Sequence, residues 1–412
     1  MADPSTPDPD ADATKGPAAP VIDDPTIPAE NVIGALRGVI DPELGDNVVD
    51  LGMVKGLGWL EDGRLEVRVS LTTAGCPLRS QLQDDIKARV GGVRGVPGVK
   101  VTFGEMTAQQ KSQLMSRARW KAQQRDEVTI DIPPTAKVVA IASGKGGVGK
   151  SSVTANLAAA LATSGLTVGV LDADIGGFSI PRMLGLTAKV KAEKGADGKA
   201  RIEPIAVPMG DGALKVVSMG AIEGAEEDEA IMLRGLMLNR AVQHFLEDVS
   251  WGDLDYLLID MPPGTSDIQM GLARMLPRTE VIIVTTPALA AQKVAARAAD
   301  MARKGYLRVA GVIENMSAFE CAHGETYALF GSGGGQRLAD EVGVPLLGSV
   351  PLDASVAAGG DAGQPAALGD GPVAAAYAAL TDAVLTTIPL VEMSSCTARL
   401  FGQVEEALGP KT

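Results

Sequence analysis

The order of apolar and polar positions divides the chain into two folded regions. From Lys137 onward, short runs rich in Val, Ile and Leu alternate with longer stretches of helical periodicity. Continuous apolar runs separated by helices are typical of parallel strands in a sheet that is covered on both faces. The pattern therefore predicts an α/β domain with a mostly parallel sheet and helices on both faces. The runs are KVVAIAS, VGVLDAD, DYLLIDMP, EVIIVTTP, VAGVIENM and PLLGSVP.

The region before this domain follows another pattern. A helical segment, AENVIGALRGVI, leads through a turn to the alternating segment GRLEVRVSLTT, and then to AGCPLRSQLQDDIKARVGG and VPGVKVTFGEM. Alternation with a period of two indicates strands with one buried face. We therefore expect a small α+β domain at residues 28–106, ahead of the α/β domain at 135–390.

Three segments lie outside the two predicted domains. Residues 1–27 are rich in Pro, Asp, Ala and Thr, and we expect a disordered acidic tail because they offer little apolar surface to offset the entropy of ordering. Residues 107–134 carry a run of basic side chains before two prolines, which favours a solvated helical linker. Residues 391–412 are interpreted as a C-terminal tail.

Composition and charge exclude several classes of function. The chain has 412 residues, of which 46% are hydrophobic, yet no apolar run approaches the roughly 20 residues of a membrane-spanning helix. The net charge of −14 disfavours general binding to nucleic-acid backbones. Cys76, Cys321 and Cys396 have neither zinc spacing nor the numbers for a disulfide framework, which fits a reducing compartment. We expect a cytoplasmic protein that binds neither membrane nor nucleic acid.

The segment SGKGGVGKSS contains a phosphate-binding loop. Its Gly-x-x-x-x-Gly-Lys-Ser core lies between the strand KVVAIAS and the helical segment KSSVTANLAAALATSG, the context that such a loop requires. Backbone N–H groups between glycines can approach phosphates, and the helix N-terminus adds partial positive charge. We expect Lys150 on the β and γ phosphates of ATP and Ser151 on Mg²⁺. The other loop residues expected to bind nucleotide are Gly144, Gly146, Gly147, Val148, Gly149 and Ser152.

Polar residues follow three later strands. Asp260 in DYLLIDMPPGT is suited to hold Mg²⁺ through water. In LDADIGG, Asp172 fits the magnesium shell and Asp174 is suited to position the attacking water, while the amide of Asn315 in ENMS can bind the edge of adenine. Any one of them alone is more simply a strand-end or turn residue. Together, at strand ends after a P-loop, they indicate one nucleotide site.

These motifs resemble a known family. The loop GKGGVGKS resembles the deviant P-loop of the MinD/ParA group, and LDADIGGFSIPRMLG, LIDMPPGTSD, ENMS, FGSGGGQRLA and GSVPLD resemble the Mrp/ApbC iron-sulfur cluster carrier ATPases. The segments IDPELGDNVVDLG and TTAGCP resemble the SufT-type assembly domain that often precedes this ATPase. The resemblance implies an ATP-hydrolysing carrier that passes clusters to apoproteins with the help of assembly factors. It also adds Pro351 of GSVPLD to the nucleotide-binding residues.

The resemblance gives a role to a second lysine in the loop. In this group the lysine one residue after the first glycine, here Lys145, reaches the phosphates of the partner in a nucleotide-sandwich homodimer. It would act as the counterpart of an arginine finger supplied in trans. The resemblance therefore implies a homodimer in which Lys145, Lys150 and Asp174 take part in catalysis.

The cluster site departs from the family pattern. Carriers of this type bind a bridging cluster, expected to be [4Fe-4S], through a Cys-x-x-Cys after the ENMS strand, but here Cys321 is followed by Gly324 in the second position. His323 could complete the set, because His replaces Cys on iron in some centres. Cys321 as a packed, inert thiol is an equal alternative. Cys76, at the end of a predicted strand, is a second candidate ligand, and the inert alternative is equally open for it.

Two other functions stay open from the sequence. One is a MinD/ParA-type positioning ATPase, although LFGQVEEALGPKT lacks the basic amphipathic character of a membrane-binding helix. The other is an ATPase switch that has lost cluster binding, an alternative that the missing second cysteine leaves open.

Overall fold

The computed structural model describes most of the chain and divides it into two compact units, one ending at Thr129 and one spanning Ile130–Leu390. The described residues are 20–42, 44–72, 78–107, 110–111, 114, 132–174, 177–190, 192–194, 200–218, 242–264, 271–273, 275–321 and 323–390. Residues 1–19 of the predicted N-terminal tail, the predicted C-terminal tail at 391–412, most of the linker and Cys76 lie outside these residues.

The first unit is a small α+β domain, as predicted. Its four-stranded sheet has the order β1-β4-β5-β6, with β2 and β3 pairing separately. The strands are β1 (Val21–Ile22), β2 (Ile40–Asp41), β3 (Asp46–Asn47), β4 (Val54–Trp59), β5 (Leu65–Leu71) and β6 (Val99–Glu105), and the helices are α1 (Ala29–Leu36) and α2 (Arg79–Gly91).

Strand β1 precedes residue 28, where the sequence predicts that this domain begins. Strand β1 pairs in parallel with β4, and Ile27 is buried in the domain core. The exposed apolar pair Val21 and Ile22 is too short to give a periodic signal, so its hydrogen bonding to β4 is a tertiary feature. The ordered domain therefore includes part of the predicted acidic tail.

The second unit has one large sheet with strand order β11-β12-β8-β13-β7-β14-β15-β16, and β17 also pairs with β15. All of these pairs are parallel except β11 with β12 and β15 with β16. The strands are β7 (Lys137–Ser143), β8 (Thr167–Asp172), β9 (Ala192–Lys194), β10 (Ala200–Ile202), β11 (Ile205–Met209), β12 (Gly212–Ser218), β13 (Tyr256–Asp260), β14 (Glu280–Thr285), β15 (Arg308–Glu320), β16 (Thr326–Tyr327) and β17 (Leu346–Leu352).

Helices cover both faces of this sheet. Alternate residues of β7 belong to two different cores: Val138 and Ala140 pack with one set of helices, and Val139 and Ile141 pack with the other. The first set includes α5 and α6, and the second includes α3 and α8. The helices are α3 (Lys150–Thr163), α4 (Ile180–Met183), α5 (Leu289–Lys304), α6 (Gly334–Val342), α7 (Ala354–Ala362) and α8 (Pro372–Thr387), with a 3₁₀ turn at Ala366–Leu368.

The predicted fold class is confirmed, and the sheet is larger than the six runs implied. The segment KAEKGADGKARIEP, which by sequence is typical of a solvated excursion, contains β9 and β10, and these form a separate antiparallel pair. Strands β11 and β12, which follow it, extend one edge of the large sheet. None of the helices in the described part of the chain is long and apolar enough to cross a membrane.

Candidate functional site: a P-loop at the carboxyl edge of the sheet

The P-loop joins β7 to α3 and has the backbone geometry that phosphate binding requires. Gly147 and Gly149 have φ angles of 80° and 81°, in the left-handed region that glycine adopts without strain. A Cβ at Gly144 would lie 2.2 Å from the backbone carbon of Val294 in α5. Only glycine therefore allows the loop to lie this close to α5.

The loop surrounds a cavity of about 230 Å³. Its walls are Ser143, residues 145–152, Asp174, Ser179, Met183 and Pro263. Most of the predicted loop residues thus line one space, while Gly144 is buried beneath it. The exposed Lys145 lies on the wall of this cavity.

Lys150 lies at the centre of a buried charge network. Its Nζ is 2.8 Å from Asp260 Oδ2 and 3.8 Å from Asp174 Oδ2, and its side chain is 6% exposed. Ser151 donates a hydrogen bond of 2.6 Å to the same Asp260 oxygen. Because Asp260 is fully buried, these partners balance a charge that would otherwise be costly to bury.

Asp172 holds the segment that follows β8. Its Oδ2 accepts hydrogen bonds from the backbone N–H of Ser179 and Ile180, at 3.3 and 3.4 Å, and from the hydroxyl of Ser218 at 3.1 Å. Burial raises the pKa of Asp172 to about 7, and the nearby charge of Asp260 adds to the rise. Burial also raises the pKa of Asp174, and Lys150 opposes that rise. The two aspartates therefore differ, since Asp172 is fully enclosed and Asp174 borders the cavity.

Asn315 lies directly beneath the P-loop. Its Nδ2 donates a 2.9 Å hydrogen bond to the carbonyl of Val148, and its side chain is buried. Pro351 lies on the neighbouring strand β17 and is half-buried. The structure thus gives Asn315 a loop-supporting contact in addition to the adenine contact expected from the sequence.

Cys321 lies at the tip of a hairpin beyond β15. Its thiol is free and half-buried, and its N–H donates to the carbonyl of Glu325 at 2.9 Å. Gly324 closes the turn with an N–H bond to the carbonyl of Cys321 and has a φ of 80°. His323 in this turn is exposed. Over the described ranges, no group of three or more His, Cys, Asp or Glu side chains could hold a metal ion.

The chemistry of the P-loop site fits ATP with Mg²⁺. The loop combines glycine-bounded N–H groups, the N-terminus of α3 and the Lys150 ammonium group, which together suit a polyphosphate. The hydroxyl of Ser151 and the carboxylate of Asp260 share one position that already accommodates a cation, the Lys150 ammonium. Mg²⁺ prefers such oxygen ligands, completed by water and phosphate.

Two buried hydroxyls in this site were not predicted. Thr154 Oγ1 lies 2.8 Å from Asp260 Oδ1, and Ser218 Oγ bonds Asp172 from the end of β12. Thr154 lies in the helical segment that follows the P-loop but is given no role by the loop motif, and Ser218 belongs to none of the quoted motifs. Thr154 lies one helical turn beyond Lys150, so the i+4 spacing on α3 is the signal that could have identified it.

Replacing Thr154 by valine tests whether it orients Asp260. Valine keeps the shape but removes the donor to a buried carboxylate, a loss of about 1.5–3 kcal/mol. We expect the kcat for ATP to fall ~10-fold or more and the Mg²⁺ concentration for half-maximal activity to rise. Thr154→Ser, which keeps the hydroxyl, is the matched control. A valine variant with unchanged magnesium dependence would contradict this role.

Comparisons with known proteins match both units. A family model described as NUBPL iron-transfer P-loop NTPase matches residues 134–385, and one described as iron-sulfur cluster assembly protein matches residues 29–103. The chain is 44% identical over 342 residues to the iron-sulfur cluster carrier protein of Mycobacterium tuberculosis (strain ATCC 25618 / H37Rv), covering 81% of this chain and 86% of the relative.

Other relatives give a similar picture. The iron-sulfur cluster carrier protein of Bacillus subtilis (strain 168) is 38% identical over 325 residues, which cover 78% of this chain and 86% of that protein. Among solved structures, a nucleotide-binding protein in complex with ADP from Archaeoglobus fulgidus is 35% identical. That match has a TM-score of 0.46 and covers 56% of this chain and 87% of the other.

Proposed function

The chain belongs to the NUBPL iron-transfer P-loop NTPase family, and we propose that it is an ATP-hydrolysing carrier that binds iron-sulfur clusters and transfers them to apoproteins. The observation that carries the proposal is that one strand connects two features, the P-loop and a free thiol. Strand β15 supports the P-loop through Asn315 and then leads to the half-buried free thiol of Cys321. The cluster is the cargo, and ATP hydrolysis supplies the free energy.

We propose specific roles for the residues around the nucleotide. Ser151 and Asp260 would hold Mg²⁺, Asp260 through water, because they share an oxygen-lined cation position. Asp174 would position the attacking water from the cavity wall. Asp172 would support the magnesium site from the side by accepting hydrogen bonds from the backbone N–H groups of Ser179 and Ile180, which fixes the segment after β8. Asn315 and Pro351 would contact adenine.

We propose that the active form is a homodimer. Lys145 is exposed on the cavity wall, where a lysine needed by a facing subunit is accessible. Residues 319–327, which carry Cys321, form the cargo hairpin. At and just beyond it, Tyr327, Leu329 and Phe330 expose 44%, 60% and 44% of their surface, and burying them against a second copy would be favourable. ATP bound between two copies would then couple dimer closure to hydrolysis.

The cargo site would be shared by two subunits. In the described residues a single chain offers too few clustered ligands for a metal, so a bridging cluster needs the same segment from both copies. Cys321 and His323 from each would give four ligands, the number that suits a [4Fe-4S] cluster. Cys76 of the first domain is a second candidate, for holding or passing iron. Recipients would be apoproteins, with assembly factors loading the carrier in the cytoplasm, where thiols stay reduced.

Anaerobic reconstitution with iron and sulfide tests this function. If Cys321 binds the cargo, the wild type should retain iron through anaerobic gel filtration and show cluster absorbance and Mössbauer spectra. We expect Cys321→Ala to lose that iron while keeping ATPase activity within about threefold, because the hairpin is not part of the P-loop cavity. Equal iron per subunit in wild type and Cys321→Ala would rule out this site.

Two further variants separate the remaining possibilities. Gly324→Cys restores Cys-x-x-Cys, and a Cβ there meets nothing within 4 Å, so the thiol has room although the φ of 80° adds backbone strain. We expect this variant to retain iron longer than the wild type, because thiolates suit iron better than a mixed set. Loss of iron in Cys76→Ser alone would assign the cargo to the first domain. Absence of iron from every variant would leave a nucleotide switch without cargo.

A further inference from the structure

Three consecutive residues of strand β15, Glu314, Asn315 and Met316, lie between the P-loop and the cargo hairpin. Glu314 accepts a hydrogen bond of 2.5 Å from the N–H of Gly335 and so caps the N-terminus of α6. The next residue, Asn315, holds the P-loop carbonyl of Val148. The strand is therefore anchored upstream to α6 and tied at the next residue to the nucleotide loop.

The strand bulges immediately after Asn315. Asn315 pairs with Val350 of β17, and the next pair is Phe319 with Leu352, so three residues of β15 lie opposite one residue of β17. Met316 begins the bulge with a φ of 57°, a left-handed conformation that strains the backbone of a non-glycine residue. Bulges of this kind redirect a strand, and here the redirected segment leads to Cys321.

The start of the bulge also lies close to the P-loop. A Cβ built on Gly149 would lie 2.2 Å from Asn315 Nδ2 and 3.5 Å from the terminal methyl carbon of Met316. Gly149 immediately precedes Lys150, so the backbone expected to enclose phosphate lies against the two residues where β15 bends. A shift of this part of the loop therefore meets Met316 without any intervening side chain.

We propose that Met316 is a positioning residue that ties the direction of the Cys321 hairpin to occupancy of the P-loop. A bound phosphate would accept hydrogen bonds from the backbone N–H groups of residues 148–150. These bonds would shift Gly149 and the carbonyl of Val148, and the shift would move the bulge. Upstream, Glu314 holds the strand to α6, so the displacement passes downstream into the hairpin. This inference rests on the proposed function for its purpose, since the hairpin is where the cargo thiol lies.

The molecule offers a matched control for the effect of backbone strain alone. In the part of the chain that the structure describes, Tyr306 and Met316 are the two non-glycine residues with positive φ, at 61° and 57°. Tyr306 lies before β15, at the opposite end of the strand from the P-loop. If relief of strain anywhere along β15 sufficed, both positions would respond alike.

The test measures the alkylation rate of Cys321 with and without saturating Mg·ADP, in a Cys76→Ser, Cys396→Ser background. ADP supplies the β phosphate without the γ phosphate, and light scattering checks that the oligomeric state does not change. We expect about a fivefold difference in rate, the low end of ordinary allosteric coupling. Hydrogen exchange of residues 317–327 should change in parallel.

Variants at 316 and 306 then assign the effect. Met316→Leu, which keeps an unbranched Cβ and an apolar tip, should retain the ADP-dependent difference. Met316→Gly, which frees the backbone and removes the tip, and Met316→Ile, whose branched Cβ resists positive φ, should reduce it to less than about twofold at ADP saturation. Tyr306→Gly should behave as the parent protein.

Several results would overturn the proposal. These are no ADP-dependent difference in the parent, full retention of the difference in Met316→Gly, or an equal loss in Tyr306→Gly. A loss of ADP affinity that accounts for the whole change would make Met316 part of the binding site instead. None of these measurements uses a cluster, so failure of coupling is distinguishable from failure of cluster carriage, which the reconstitution of Cys321→Ala tests separately.

Discussion

Lys150→Ala should abolish tight ATP binding, with a loss in affinity of about 100-fold or more. Lys150 supplies the buried ammonium group of the P-loop, 2.8 Å from Asp260 and 3.8 Å from Asp174. Without it, the site presents these two carboxylates to a polyphosphate, so attraction is replaced by repulsion. Calorimetry with Mg·ATP measures the affinity directly, and unchanged affinity would contradict the assignment of the loop.

The same substitution should also destabilise the protein without ligand. Removing one member of a buried ion pair leaves an uncompensated charge and costs about 3–5 kcal/mol. Asp260 is fully buried, so Lys150→Ala should lower the thermal midpoint. The double variant Lys150→Ala, Asp260→Asn removes the orphaned charge and should regain stability without regaining ATP binding. That contrast separates a direct loss of phosphate contact from a general loss of fold.

The sequence was sufficient to predict the P-loop and the strand-end aspartates, because their positions follow from local rules. Glycine spacing between an apolar run and a helical segment fixes the loop, and residues at the carboxyl ends of parallel strands must meet at one edge. Lys150, Ser151 and Asp260 accordingly lie within hydrogen-bond distance of one another. The resemblance to iron-sulfur cluster carriers is confirmed by the family match and by the relatives.

The hydroxyls and the bulge could not be predicted for a physical reason. Thr154 and Ser218 become functional only because distant strands bring Asp260 and Asp172 within reach, over 106 and 46 residues of sequence. Met316 adopts its left-handed conformation where β15 has three residues opposite one residue of β17, and the conformational propensity of methionine gives no sign of this bulge. Such features depend on register between strands, whereas motif recognition depends on neighbours in sequence.

The edge of the sheet was underestimated for a related reason. Strand β11 is apolar at all five positions, but it contains Pro208, a residue that argues against a strand in sequence and is tolerated here because β11 lies at the edge of the sheet and pairs with β12. Lys215 interrupts the apolar run of strand β12, and its Nζ donates hydrogen bonds to the carbonyls of Trp251 and Asp253. The half-buried Lys215, whose ammonium group is hydrogen-bonded, therefore makes this strand resemble a polar segment in the sequence.

Lys145→Ala should leave ATP affinity within about threefold of the wild type but slow hydrolysis by roughly 1,000-fold, the low end of the effect of a cation supplied in trans. Lys145 is exposed on the cavity wall, whereas Lys150 is the buried lysine that we expect to contact the phosphates. Single-turnover hydrolysis at saturating ATP, together with calorimetric affinity, separates the two effects. A parallel loss of affinity and rate would make Lys145 a second cation acting within its own site.

Mixing two inactive variants decides whether Lys145 acts across the dimer. In a mixed dimer of Lys145→Ala with Asp174→Ala, the first subunit keeps its own Asp174 and faces the intact Lys145 of the second. That one site is complete if the lysine acts in trans, and neither site is complete if it acts in cis. Random pairing of a two-fold dimer gives one complete site in about half of the dimers, so activity should recover to roughly a quarter of the wild type.

The control is a mixture of Lys150→Ala with Asp174→Ala, in which both defects act within a subunit and no activity should return. Recovery in that control, or none in the test mixture once mixed dimers are shown by mass spectrometry, would contradict the trans role of Lys145.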